Sequence, residues 1–300
     1  ATPKTMGRVS GIGWFVGYVG GLLSLIIALL VFVWPDPPLF GLDASTNANI
    51  RATNLLVAAW YAVFALPLFF VVPEPPRRSI GTERTGGLIA ATNQQIASTF
   101  ASIRRYRHAF WLLLARFFYN DGIVTIFAFG GIYAAGTFGF DTEGIIIFGI
   151  VLNVAAGLGA FAFGWIDDWI GAKPTILISI VGISVAVLGA ALAPSEPWFW
   201  AAGILLGLLV GPNQASSRSL LGRFTPRGKE NEFFGFFAFS GKLTAFLGPL
   251  LLGWMTSLFE SQRIGITTVL IFFVIGGILL LRVDEEEGMR MAAASHEVDS

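Results

Sequence analysis

The 300 residues carry 19 basic and 19 acidic side chains, 55% hydrophobic residues and only 13% charged ones, where soluble domains have roughly 25% charged. Balanced charge offers no basic surface for nucleic acid. The absence of cysteine removes disulfides, thiolate metal sites and a cysteine nucleophile, and His108 and His296 are too few for a histidine metal cluster, so neither metal nor cofactor is expected. A mean hydropathy of +0.72, with 28 Phe and 9 Trp, suits contact with lipid and its headgroup belts.

A helix needs about 20 mostly apolar residues to cross a bilayer. Runs of that kind predict eight spans, near 11–34, 52–73, 109–136, 144–166, 174–193, 197–219, 233–258 and 264–282. Lipid cannot satisfy an open strand edge, and no alternating ten-residue pattern repeats, so the expected fold class is an all-α polytopic membrane protein. The first two spans make a unit over 1–73. A long connection at 74–108 opens on Pro73, Pro75, Pro76, Arg77 and Arg78 and reads as a linker between two helical bundles. Within it Leu88, Ile89, Thr92, Ile96, Phe100 and Ile103 recur at helical spacing, as in an amphipathic helix lying on the membrane face. Six spans fill 109–283. The acidic tail over 284–300, with Asp284, Glu285, Glu286 and Glu287, reads as a solvated terminus.

Basic residues orient the spans. With a cytoplasmic N-terminus, the inner segments hold Lys4, Arg8, Arg77, Arg78, Arg84, Arg104, Arg105, Arg107, Lys173, Arg218, Arg223, Arg227, Lys229, Arg282 and Arg290. The outer ones hold only Arg51 and Arg263. This satisfies the positive-inside rule at every loop and places both termini in the cytoplasm.

Between the fourth and fifth spans the chain reads GWIDDWIGAKP. Glycines there permit a tight turn and close helix approach. Asp168 stands where it can cap the following helix or pair with a basic group across the loop. Gly164, Asp168, Gly171 and Lys173 resemble the loop pattern G-x-x-x-D-R-x-G-R-K of the major facilitator superfamily, with Trp169 and Ala172 replacing two of its basic positions. The resemblance implies a gating loop between helices eight and nine of a twelve-helix transporter. On that count 109–136 is helix seven and the chain corresponds to helices five to twelve, so helices one to four are expected to be missing. Thr2-Pro3-Lys4 before the first span and Thr225-Pro226-Arg227 before the seventh fit the internal repeats of such folds. Over nearly its whole length the chain further resembles the bacterial "unknown major facilitator" group related to vacuolar amino-acid effluxers of autophagy. The matching residues are GRVSGIGWFVGYVGG at 7–21, FFYNDGIVTIFAFGGIY at 117–133 and NEFFGFFAFSGKLTAFLGPLLLG at 231–253. That implies efflux of a small solute such as an amino acid across a bacterial inner membrane.

An ionisable group in the bilayer interior costs roughly 2.5–3.5 kcal/mol on insertion scales and calls for a reason. Arg116 and Asp121 lie about 10 and 18 Å along the third span, and Lys242 about 14 Å along the seventh. Asp121 is the candidate for proton coupling or for a substrate amine, the alternative being a structural pair with Arg116 or Lys242. Lys242 would hold Asp121, bind a substrate carboxylate or snorkel to the interface. Two positive groups against one negative suggest an anionic or zwitterionic solute. Asn120, Asn153, and Asn213 with Gln214 after an expected helix break at Gly211-Pro212 complete the candidate set, with interhelical hydrogen bonding as their alternative. Tyr119 and Tyr133 either flank the site or pack. The expected function is a proton-linked transporter working by alternating access. The competing reading is a non-transporting eight-helix assembly or regulatory subunit. A membrane enzyme is not expected, because no serine–histidine pairing, paired carboxylates or metal-ligand spacing falls within the spans.

Overall fold

The computed structural model describes residues 2–43, 45–72, 106–243 and 245–298, and the described residues are helical with short connections and no strand. The amphipathic segment expected at 88–103 lies outside them. Two compact units divide the chain, the first holding the described residues up to Tyr18 and from 106 onward, the second those from Val19 to 72. Helix α1 (Met6–Ala28) runs on through a π-helical turn at Leu29–Val33. In the second unit the rest of this helix is followed by α2 (Ala48–Val71), with the Asn49 Nδ2 donating to the Phe32 carbonyl at 3.0 Å. Leu55, Phe69 and Phe70 of α2 are all more than 70% exposed. A helix apolar around its whole circumference and left uncovered is built for lipid or for further helices.

The first unit contains α3 (Arg107–Phe138), α4 (Thr142–Ile170), α5 (Ala172–Leu192), α6 (Glu196–Phe224), α7 (Glu230–Ser240), α8 (Leu247–Phe259), α9 (Gln262–Thr267), α10 (Val269–Leu281) and α11 (Glu285–Val298). Six helical runs among the described residues are long and apolar enough to cross a membrane: Met6–Val33, Ala48–Val71, Arg107–Phe138, Glu143–Ile170, Ala172–Leu192 and Gln262–Leu281. They coincide with six of the eight expected spans. The other two depart for separate reasons. Helix α6, at 29 residues, has the length, but its second half is polar and buried, with Asn213, Ser216, Ser217, Ser219 and Arg223 all under 9% exposed.

The span expected at 233–258 is broken. Pro249 has no N–H to give the carbonyl four residues back, and its ring crowds that carbonyl, so a helix tolerates it only in its first turn. It occupies that turn of α8. Gly241, a weak helix former, ends α7. The two residues bracket an interruption in which the Lys242 N–H returns to the Phe239 carbonyl and the Ala245 N–H to the Lys242 carbonyl. At Gly211-Pro212 the outcome is the reverse of the expectation: α6 passes through Pro212 as one helix.

Close packing explains that continuity. Gly203, Gly207 and Gly211 repeat at four-residue spacing along α6 and face α4. A side-chain carbon at Gly207 or Gly211 would strike the carbonyl oxygens of Leu152 and Ala156, and one at Gly159 of α4 would strike that of Leu208. Leu208 is the residue whose carbonyl Pro212 leaves without a helical donor, and the α4 backbone covers it. Without a hydrophobic drive between helices in lipid, such small-residue seams are how backbones gain dispersion contact. A second seam joins α1 to α4, where Gly11 meets Ala160 and Gly164 lies against Gly7 and Arg8.

The acidic tail is not a free terminus. It forms α11, in which Val283 just before the helix and Ala292 within it are buried. Asp284 caps the helix by accepting the Glu287 N–H at 2.9 Å, and that bond holds the Asp284 carboxyl below its ordinary range. The Asp284 N–H itself reaches His108 Nδ1 at 2.9 Å, and Glu287 Oε2 stands 3.1 Å from the other ring nitrogen.

Candidate functional site

Helix α3 carries the polar residues of the inner bundle one turn apart. Arg116, 7% exposed, donates from Nη1 to the Phe237 carbonyl at 2.8 Å and to Ser240 Oγ at 3.1 Å. Its guanidinium lies 3.7 Å over the Phe237 ring. One turn on, Asn120 Nδ2 donates to the Gly241 carbonyl at 3.2 Å, and its Oδ1 accepts from Gln214 Nε2 of α6 at 3.2 Å. Asp121, 1% exposed, accepts the Gly248 N–H at 2.8 Å through Oδ2, while its buried Oδ1 has no hydrogen-bond partner among the described residues. Arg116 and Asp121 therefore do not pair with each other. The cation sits on the carboxyl end of α7 and the anion on the amino end of α8, each matched to the sign of the helix dipole it meets.

Four of the expected residues, Arg116, Asn120, Asp121 and Gln214, thus converge on the α7–α8 interruption. Lys242 stands within that interruption but is exposed, and among the described residues its ammonium forms no ion pair. Asn213, fully buried, belongs elsewhere: its Nδ2 donates to Ser179 Oγ of α5 at 2.9 Å. Its carbonyl accepts from Ser217, whose hydroxyl also meets Tyr119 at 2.7 Å. Asn153 turns back to the Gly149 carbonyl of its own helix at 2.8 Å. It borders a cavity of about 730 Å³ whose wall is largely apolar, including Ile126, Phe148, Leu152, Phe199 and Leu206. Tyr133 faces the same cavity with its hydroxyl committed to the Ala190 carbonyl.

A second polar centre gathers the loop motif. Asp168 does not cap the following helix. It accepts the Gly7 and Arg8 N–H groups of α1 at 2.8 and 3.2 Å and pairs with Arg8 Nε at 2.8 Å. Gly164 provides the room for this approach, and Gly171 takes the positive φ of +98° that turns α4 into α5. The amino end of α5 is capped by Glu285, whose oxygens accept the Ala172 and Lys173 N–H groups at 3.1 and 3.0 Å, while Lys173 Nζ reaches the Leu281 carbonyl at the end of α10.

Arg223 links the parts. Its Nη2 is 2.6 Å from Asp167 and 3.4 Å from Asp168, its Nη1 2.7 Å from Glu285, and its Nε donates to the Pro3 carbonyl at 3.2 Å. Three carboxylates thus face two guanidiniums and two helix amino ends, an arrangement that desolvated charge requires. The sequence singled out Asp168, whereas Arg223 counted only toward orientation, Glu285 only as part of a solvated tail, and Asp167 not at all. The signal available was two adjacent acids at the end of an apolar helix, which demand cations from other elements.

The family model for vacuole effluxer Atg22-like proteins matches residues 2–293. The chain belongs to that family. An uncharacterized MFS-type transporter, YxiO, of Bacillus subtilis is 28% identical over 95% of this chain and 65% of its own length. Autophagy-related protein 22-1 of Penicillium rubens is 26% identical over 96% of this chain and 50% of its own. The chain therefore spans between half and two-thirds of these relatives. Among solved structures, the E. coli fucose:proton symporter FucP superposes with a TM-score of 0.61 at 13% identity, over 79% of this chain and 56% of that one. The fold is the helical bundle of the major facilitator transporters, multi-pass in the membrane. The Atg22-like relatives are named as transporters and autophagy proteins, not as enzymes.

In this Atg22-like chain the loop motif keeps its acid, its two glycines and its lysine, while Trp169, at a position where the superfamily pattern has a basic residue, is 85% exposed. Replacing Asp168 by alanine removes the cap on α1 and the Arg8 pair. Its expected effect is a loss of about 1 kcal/mol, read as a lower thermal midpoint of the full-length protein in detergent. A midpoint equal to the parent's would show that the α1 amino end is held by packing alone.

Proposed function

We propose that the protein is a secondary active transporter, proton-linked, that exports a small solute such as an amino acid by alternating access. The observation that carries this reading is Asp121: a fully buried carboxylate in a membrane-spanning helix, one oxygen bonded and the other without a partner among the described residues. A structural acceptor for one backbone amide requires no charge, and a neutral side chain would avoid the insertion cost of about 2.5–3.5 kcal/mol. A free carboxylate oxygen in such a place is suited to taking a proton or a substrate amine. Arg116 and Lys242 leave a surplus of positive charge beside it, which favours an anionic or zwitterionic solute. Asn120 and Gln214 supply neutral contacts at the same level, Asn153 serves a position further along the path at the apolar cavity, and Asn213 holds α6 to α5 through Ser179.

The Gly164, Asp168, Gly171 and Lys173 loop closes one face of the bundle, and alternating access opens that face by parting the Asp168 contacts with α1. The basic residues favour the cytoplasm for this face and for both termini, in a bacterial inner membrane, with lipid around the helices.

The test is flux through the full-length protein in proteoliposomes under an imposed pH gradient, with a panel of radiolabelled amino acids. Asp121→Asn is expected to abolish accumulation driven by the gradient while leaving solute exchange at equal pH within about threefold of the parent. Undiminished proton-driven accumulation by that variant would remove proton coupling through Asp121. Absence of flux for every solute in the parent would favour a non-transporting role.

A further inference from the structure

The interruption between α7 and α8 is held from one side by one helix. Arg116 binds the Phe237 carbonyl in the last turn of α7, Asn120 the Gly241 carbonyl just beyond it, and Asp121 an amide of the first turn of α8. A helix end carries roughly half a charge, negative at the carboxyl terminus and positive at the amino terminus. Three residues within six positions of α3 therefore present the correct sign to each of two facing ends. Gly241 completes the fit, since a side-chain carbon there would press on the Arg116 guanidinium at 2.6 Å. Gly248 does the same for α8, lying against Thr125, whose hydroxyl donates to the Asp121 carbonyl.

We propose that this is a two-jaw clamp in which Arg116 with Asn120 positions α7, Asp121 positions α8, and neutralising Asp121 loosens α8 while α7 stays held. The inference rests on the reading of Asp121 as the group that loads a proton or an amine, and it gives that event a structural output. The surroundings leave Asp121 as the switching element. On α10 it is Phe272 and Phe273 that pack at Gly122, and that helix brings no ionisable side chain. From α6 the polar contacts with this stretch of α3 are Gln214, which reaches Asn120, and Ser217, which meets Tyr119; neither is a charged group. The nearby cations are Arg116, already committed to α7, and Lys242 in the interruption itself. Each jaw is separable because, among the described residues of the interruption, the backbone bonds are single turns, Lys242 and Leu243 to Phe239 and Ala245 to Lys242.

Amide hydrogen exchange of the full-length protein in lipid nanodiscs tests the clamp. Asp121→Ala is expected to speed exchange of peptides from 247–256 by roughly tenfold or more, the effect of losing one charge-assisted hydrogen bond, and to leave 230–240 within about twofold. Arg116→Met is expected to do the opposite. Asp121→Asn, which keeps an acceptor oxygen without the charge, is expected to fall between parent and Asp121→Ala and guards against a variant that merely misfolds. Any pattern in which the Asp121 and Arg116 substitutions do not separate overturns the clamp, as does Asp121→Asn exchanging like the parent. Flux measured on the same variants keeps the two ideas apart. Separated exchange with intact proton-driven transport in Asp121→Asn leaves the clamp standing and removes the coupling reading, and the converse leaves the coupling and removes the clamp.

Discussion

Arg223→Met is expected to destabilise the protein by about 3–5 kcal/mol, because it strips the cation from a buried pair and leaves the anion in place. Asp167 is 1% exposed, and no cation other than Arg223 pairs with it among the described residues. With Nη2 gone, the hydroxyls of Ser219, at 3.2 Å, and Ser216 are left to face the carboxylate. Glu285 loses its 2.7 Å contact at the same time and must hold the amino end of α5 alone. Thermal unfolding of the full-length protein in detergent reads the effect. Adding Asp167→Asn to Arg223→Met should restore a substantial part of the loss, since the stranded charge is then removed. Arg223→Lys should fall short of the parent, because one ammonium cannot serve Asp167, Glu285 and the Pro3 carbonyl in three directions. A midpoint for Arg223→Met close to that of the parent would mean that water reaches the cluster and screens it.

Glycine-to-leucine substitutions should act with opposite signs at two positions of neighbouring helices. At Gly211 the new side chain meets the backbone of Ala156 and Ala160, which cannot move without parting α4 from α6. Overpacking costs about 1–3 kcal/mol where side chains can adjust and more where backbone must shift, so Gly211→Leu is expected to prevent recovery of folded protein. At Gly149 nothing lies within 4 Å of an added carbon, and the residue borders the large cavity. There a leucine should gain about 1 kcal/mol of helix propensity and raise the thermal midpoint. Size-exclusion profiles and melting curves of the two variants, made side by side, check the contrast. Similar behaviour of both would contradict the seam between α4 and α6.

Span positions were legible because a run of apolar residues long enough to cross lipid has few other uses. The chemistry of Pro249 was legible too, as a residue confined to a first helical turn, but hydropathy averaged over 233–258 hid it. Pro212 looked like the same signal and is not: whether a proline breaks a helix depended on Gly159, which lies 53 positions earlier and covers the freed carbonyl. Asp121 and Arg116 stood out as charges in apolar helices, yet their partners are backbone groups of other helices, and backbone has no letter in a sequence. Arg223 was counted only as one basic residue among those setting orientation. Its place between Asp167, Asp168 and Glu285 depends on three elements meeting at one end of the bundle. The acidic run at 284–287 read as solvated because Glu285 looks no different from Glu286 until the amino end of α5 is placed beside it.

The interruption also bears on how the chain enters its membrane. Helices α7 and α8, of 11 and 13 residues, measure about 16 and 20 Å, and a hydrocarbon layer is about 30 Å thick. Neither half reaches across alone. Partition into lipid as an independent helix, the route open to α5 or to the Gln262–Leu281 run, is closed to this segment. It needs a receiving surface that is already in place, and α3, which ends at Phe138, is complete before α7 begins at Glu230. The order of the chain thus supplies the template before the segment that depends on it leaves the ribosome.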